Sequence, residues 1–135
     1  RLRKLFATVK GEGLFTFLHS CGNVSEIVPD LIEIGLDVLH PIQPEAVDIA
    51  SLKAKYGDRL TFYGGISTQR TLSRGISGEV EEEVRRTIRL MARGGGYILA
   101  PGITLQHDVP LENILAFLKA AKDKTGIHSC QDDLS

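Results

Sequence analysis

Short apolar, β-prone runs recur along the chain, each followed by apolar residues at helical spacing. Leu14 to Leu18 is the first run, bounded by Gly13 and by Cys21-Gly22, and it predicts a buried strand. Asn23 stands where it can cap a helix bearing Val24, Ile27, Val28, Leu31 and Ile32 on one face, and Gly35 ends that helix. Asp37 to Ile42 predicts a second strand, broken by Pro41. Asp48 then caps a helix through Ile49, Leu52 and Tyr56 to Gly57. Leu60 to Tyr63 predicts a third strand running into Gly64-Gly65. After a loop to Gly75, Ser77 is the expected cap of a helix from Gly78 to Arg93. Tyr97 to Ala100 predicts the fourth strand, and Pro110 opens a last helix with Ile114, Leu115 and Leu118 on one face. Arg1 to Lys10 reads as the end of a helix that began upstream.

Successive βα units with short connections predict an α/β fold of about four parallel strands joined by right-handed crossovers. Their number and spacing match half of a TIM (β/α)8 barrel. The alternative is an open doubly wound sheet, whose Gly-x-Gly-x-x-Gly turn is missing after the first strand. Residues 1–126 are expected to form a partial TIM-barrel domain, truncated at its N-terminal side, and residues 127–135 a polar tail.

Composition changes this picture mainly by exclusion. Lys and Arg number 16 against 17 Asp and Glu, so no broad field attracts nucleic acid or an anionic membrane. No apolar stretch approaches the roughly 20 residues of a membrane span, and no signal-peptide pattern opens the chain. The two cysteines, Cys21 and Cys130, are too few for a disulfide framework, and a reducing cytoplasm is the expected setting. Glu81, Glu82 and Glu83, followed by Arg85, Arg86, Arg89 and Arg93, suit the dipole of their helix and read as a solvated face.

Candidate chemistry gathers after the strands. His19-Ser20-Cys21-Gly22 follows the first one, and in parallel α/β folds ligands bind beyond the carboxyl ends of the strands. Imidazole and thiolate are zinc donors, which makes His19 and Cys21 the candidate metal pair. Gln43 and Glu45 after the second strand, Ser67 after the third and Gln106 after the fourth are candidate substrate contacts; each type also serves in ordinary turns. Gly64 and Gly65 would let a ligand or another backbone come close. Gly94-Gly95-Gly96 precedes a strand, belongs to the opposite end, and reads as helix termination.

Several stretches together resemble a known family. They are His19-Ser20-Cys21-Gly22-Asn23, Pro29 to Leu39, Pro41-Ile42-Gln43-Pro44-Glu45, Phe62-Tyr63-Gly64-Gly65-Ile66, and Gly94 to Gly102. In this order and at these spacings they resemble the carboxyl-terminal half of the uroporphyrinogen decarboxylase (URO-D) superfamily, closer to its corrinoid-dependent methyltransferase-like branch. The resemblance implies a TIM barrel of which this chain carries strands five to eight. It also implies one of two activities: zinc-dependent methyl transfer linked to a corrinoid protein, or cofactor-independent decarboxylation of uroporphyrinogen.

In the methyltransferase branch the implied zinc ligands are a His-x-Cys pair, matched by His19 and Cys21, and a distant Cys where this chain has Ile103. Cys130, Gln43, Glu45, His40 or His107 could fill the remaining position. The decarboxylase branch implies a histidine at the position of Ile103 and a tetrapyrrole substrate, with its arginine-rich region and catalytic aspartate outside this chain. A half-barrel also leaves two open strand edges, which predicts self-association and an inactive isolated chain. A noncatalytic half-barrel that binds a partner is the third expectation.

Overall fold

The computed structural model describes residues 1–123, so the polar tail and Cys130 lie outside the described residues. Helix α1 (Leu2–Gly11) leads into strand β1 (Phe17–His19), and helix α2 (Val28–Glu33) into β2 (Val38–Ile42). Helix α3 (Ile49–Tyr56), β3 (Thr61–Ile66), α4 (Ser77–Met91), β4 (Tyr97–Pro101) and α5 (Leu111–Lys122) follow. The four strands are parallel and lie in the order β1-β2-β3-β4. Sequential neighbours with a helix between each pair are the α/β arrangement expected, that of one half of a barrel.

Several boundaries differ from the sequence expectation. The first strand begins at Phe17, because Thr16 is committed to its neighbours: its N–H and hydroxyl meet the Asp37 carboxylate, and its carbonyl accepts from Asp37 and Val38. Leu14 and Phe15 are left exposed. Asn23 does not cap α2. Its side chain accepts from Ser25 N–H in a local turn, and the helix starts later, with Pro29 in its first turn where the missing N–H costs nothing. Nor does Ser77 cap α4. Ile76 is the N-cap, its N–H is taken by the Glu79 carboxylate, and the Ser77 hydroxyl meets Asn113 instead. Asp48 does cap α3, accepting from Ser51 N–H at 3.1 Å. The stretch expected as a loop after β3 contains a π-helical turn at Thr68–Leu72, capped by Ser67.

Strand β3 extends through Gly64 and Gly65, which lie within it and not after it. A Cβ on Gly64 would stand 3.1 Å from Ile42 N, and one on Gly65 2.9 Å from the Tyr97 hydroxyl and 3.1 Å from a Thr87 methyl. Both have positive φ, +125° and +94°. At Gly64 the close approach is to the β2 backbone, and at Gly65 it is to the side chains of Tyr97 and Thr87, so packing within the fold takes the space a side chain would need.

The helices cover one face of the sheet. Leu39, Ile42 and Phe62 pack there with Val28, Leu31, Leu52 and Met91, while Ile66 joins Leu72, Val80, Val84 and Ala120 under α4 and α5. Burying each such large side chain is worth about 1.5–3 kcal/mol, which holds the strand ends in a fixed relation. The other face is open and carries Phe17, His19, His40, Tyr63 and Ile98; Phe17 is 51% exposed and Ile98 43%.

Candidate functional site

At the carboxyl end of the sheet, His19 closes β1 and pairs in register with His40 on β2. Strand register puts both imidazoles on the same face, and Nδ1 of His40 lies 3.0 Å from Nδ1 of His19. The rings of Phe17 and Tyr63 flank His40, with centroids 5.5 and 4.6 Å from it. Burial lowers the His40 pKa below its ordinary value, and the neighbouring His19 adds to the effect.

Two residues beyond β1 the chain turns back, so that Cys21 Sγ reaches 3.3 Å from Nε2 of His19. Gly22 turns the chain with a φ of +84°, and its N–H donates to Gln43 Oε1 at 3.2 Å. Buried Gln43, just after β2, therefore anchors the loop that carries Cys21. Glu45 accepts a hydrogen bond from the Ser67 hydroxyl. The Ser67 N–H donates to the Glu83 carboxylate at 2.8 Å. Beyond β4, Ile103 N–H donates to the Thr68 hydroxyl at 3.2 Å, and a Cβ on Gly102 would come within 3.6 Å of the Gln43 side chain. The ends of β2, β3 and β4 thus meet through polar side chains.

Of the expected site residues, His19 and Cys21 are adjacent and exposed, while Gln43, Glu45 and Ser67 make the polar contacts just described. Gln106 stands apart: it is exposed and its amide donates to Thr104 O. Gly64 and Gly65 are occupied by packing within the fold. Sequence reasoning took Glu83 as part of a solvated charge run, and here the structure corrects it. Glu83 is buried and bonds the Ser67 backbone; its position among Val80, Val84 and Thr87 on the inner stripe of α4 was the signal. Burial pushes the Tyr97 phenol up, with Glu83 adding to the shift, and that phenol donates to Gly64 O at 2.8 Å. The ring cluster around His40 was also missed, since only pairing of β1 with β2 creates it.

The His19 and Cys21 donors can be compared with zinc geometry. Two ligands at ordinary Zn–N and Zn–S distances around a tetrahedral ion stand about 3.5 Å apart, close to the observed spacing. The pair therefore fits two positions of a zinc centre. Among the described residues no group of three or more His, Cys, Asp or Glu is arranged to hold a metal. Gln43 and Glu45 are engaged elsewhere, His40 meets the opposite nitrogen of His19, and Ile103 carries no donor side chain.

A family model described as Uroporphyrinogen decarboxylase (URO-D) matches residues 1–124. A methylcobamide:CoM methyltransferase, MtaA, of Methanosarcina barkeri is 36% identical over 124 residues, covering 92% of this chain and 34% of the relative. A second MtaA, from Methanosarcina barkeri strain Fusaro / DSM 804, is 34% identical over the same share of each chain. A solved methyltransferase from Methanosarcina mazei superposes with a TM-score of 0.67 at 30% identity, covering 88% of this chain and 33% of that one. The chain thus spans about a third of the length of the relatives it matches.

Proposed function

The chain belongs to the uroporphyrinogen decarboxylase (URO-D) family, and from that premise we propose that it supplies one side of a site for methyl transfer from a corrinoid to a small thiol. The observation that carries this is the His19–Cys21 pair at the end of β1, in a chain whose relatives are named methylcobamide:CoM methyltransferases. In such a transfer a thiolate takes the methyl group from cobalt. The C–S bond forms as the Co–C bond breaks, and both electrons of the broken bond stay on cobalt.

His19 and Cys21 would hold a zinc ion at two positions, the remainder being filled from outside the described residues or by the substrate sulfur. The chemistry zinc supplies when bound is a lowered thiol pKa and a fixed thiolate. Gln43 keeps the Cys21 loop in place through Gly22 N–H. Glu45 and Ser67, at the strand ends, are the proposed contacts for the polar part of the substrate, with Gln106, further along the loop after β4, as a third. Gly64 and Gly65 contribute by setting the path of β3 beneath it. A corrinoid-carrying protein is the proposed partner. Decarboxylation of uroporphyrinogen is the alternative: Ile103 departs from the pattern of both branches, and the methyltransferase names of the relatives favour methyl transfer.

Because the chain spans about a third of its relatives, the complete activity needs further β/α units around the open face of the sheet. We place their supply either in a longer polypeptide or in a second copy. The test uses the polypeptide carrying this sequence, methylcobalamin and 2-mercaptoethanesulfonate, and measures thioether formed. Thioether production that falls to background in Cys21→Ala and His19→Ala is expected. Release of carbon dioxide from uroporphyrinogen, with no thioether, would overturn the proposal.

A further inference from the structure

Resting on the zinc reading of the His19–Cys21 pair, we infer that His40 is a positioning residue that sets the tautomer and ring orientation of His19. The geometry has three parts. Nδ1 of His19 faces Nδ1 of His40 at 3.0 Å, and Nε2 of the same ring faces Cys21 Sγ at 3.3 Å. The two histidines sit on adjacent strands in register, so backbone hydrogen bonds hold their separation. Phe17 and Tyr63 wall the His40 ring on the open face.

A neutral imidazole carries one N–H, and two facing Nδ1 atoms can bond only when one of them is the donor. A metal on Nε2 of His19 requires that nitrogen's lone pair, which sends the His19 proton to Nδ1. His40 Nδ1 then accepts it, and the His40 proton resides on Nε2. A metal-bound histidine ordinarily donates its other N–H to a carboxylate, a backbone carbonyl or water, and such partners typically change metal affinity by about 10–100-fold. Here a second imidazole fills that role. The same geometry removes His40 from the set of zinc ligands, since its near nitrogen addresses the far side of the His19 ring.

Two measurements test this, and one needs no metal. In the zinc-free protein, a long-range 1H–15N spectrum of the imidazoles is expected to show His19 protonated on Nδ1 and His40 on Nε2, and the reverse assignment would overturn the inference. Both rings protonated on Nε2 would leave no hydrogen between the facing atoms and would overturn the inference. Zinc affinity is then measured by competition with a chromophoric chelator. His40→Phe is expected to bind zinc about 10–100-fold more weakly than the unsubstituted chain. His40→Asn, whose amide oxygen stands near the place of Nδ1, is expected to recover most of the loss. Unchanged affinity in a folded His40→Phe protein would sink the inference. Equal zinc affinity in the unsubstituted chain and in Cys21→Ala would overturn the zinc reading and the inference with it; the spectrum of the zinc-free protein would still report whether the two rings pair.

Discussion

Asp37, at the start of the second βα unit, shows how one side chain joins three segments. Its carboxylate accepts from Thr16 N–H at 2.7 Å and from the Thr16 hydroxyl at 3.0 Å, and it pairs with the Lys10 ammonium at the end of α1. Burial alone would raise its pKa; Lys10 and the two Thr16 donors more than offset that and hold it below the ordinary 3.8. A carboxylate depressed in the folded state contributes stability that is fully present above the unfolded value and is lost as pH falls through the folded one. Asp37→Asn is therefore expected to lose about 1–3 kcal/mol at neutral pH, with the gap to the unsubstituted chain closing below pH 3.8. Urea unfolding across that range measures both. A constant gap at every pH would show that the charge is not the source.

At the scale of elements, the connection from β3 to α4 depends on α5. Asn113, buried on α5, donates to Leu72 O at 3.1 Å and to Gly75 O at 2.8 Å, closing the π-helical turn at Thr68–Leu72. Its amide oxygen meets the Ser77 hydroxyl at the first turn of α4. Asn113→Ala would leave two carbonyls without their donor and is expected to cost about 1–3 kcal/mol in chemical unfolding. Its effect reaches the site, because Ser67 caps the same π-helical turn and its hydroxyl donates to Glu45. Faster amide exchange at Ser67 and Arg70 in the variant is the expected local signature. Unchanged exchange there would mean that the π-helical turn stands without α5.

For the whole molecule, the two faces of the sheet are unequal. One is sealed by helices, and the other exposes Phe17 and Ile98 beside His40 and Tyr63. Helix α5 adds Leu111, Leu115 and Leu118, exposed at 67%, 57% and 45%, at spacings that put them on one side of the helix. Apolar surface at both ends of a row of βα units is what a further set of such units would cover. Sedimentation at increasing concentration is expected to show self-association of the isolated chain, reduced in Phe17→Ser and Leu115→Glu. A monomer at all concentrations would remove self-association from the proposal.

The alternation of apolar runs with helical periodicity was enough to derive the α/β class, four parallel strands, and the place of His19 and Cys21 at a strand end, because these follow from local patterns of period two and 3.6. The motif order likewise carried the URO-D resemblance that the family match bears out. Element ends were not legible where one of several competing polar partners, near or distant in the chain, decided them. Thr16 commits its N–H and hydroxyl to Asp37, Asn23 turns toward Ser25 and leaves α2 uncapped, and Glu79, three residues on, fixes the start of α4. The pairing of His40 with His19 appeared only when β1 met β2, whereas the burial of Glu83 had a signal in its place on the apolar stripe of α4. Along the chain His40 is 21 residues from His19; the parallel register alone makes them neighbours. Local patterning thus determined which elements form and which donors lie at their ends, while strand pairing and helix packing decided which of those donors face one another.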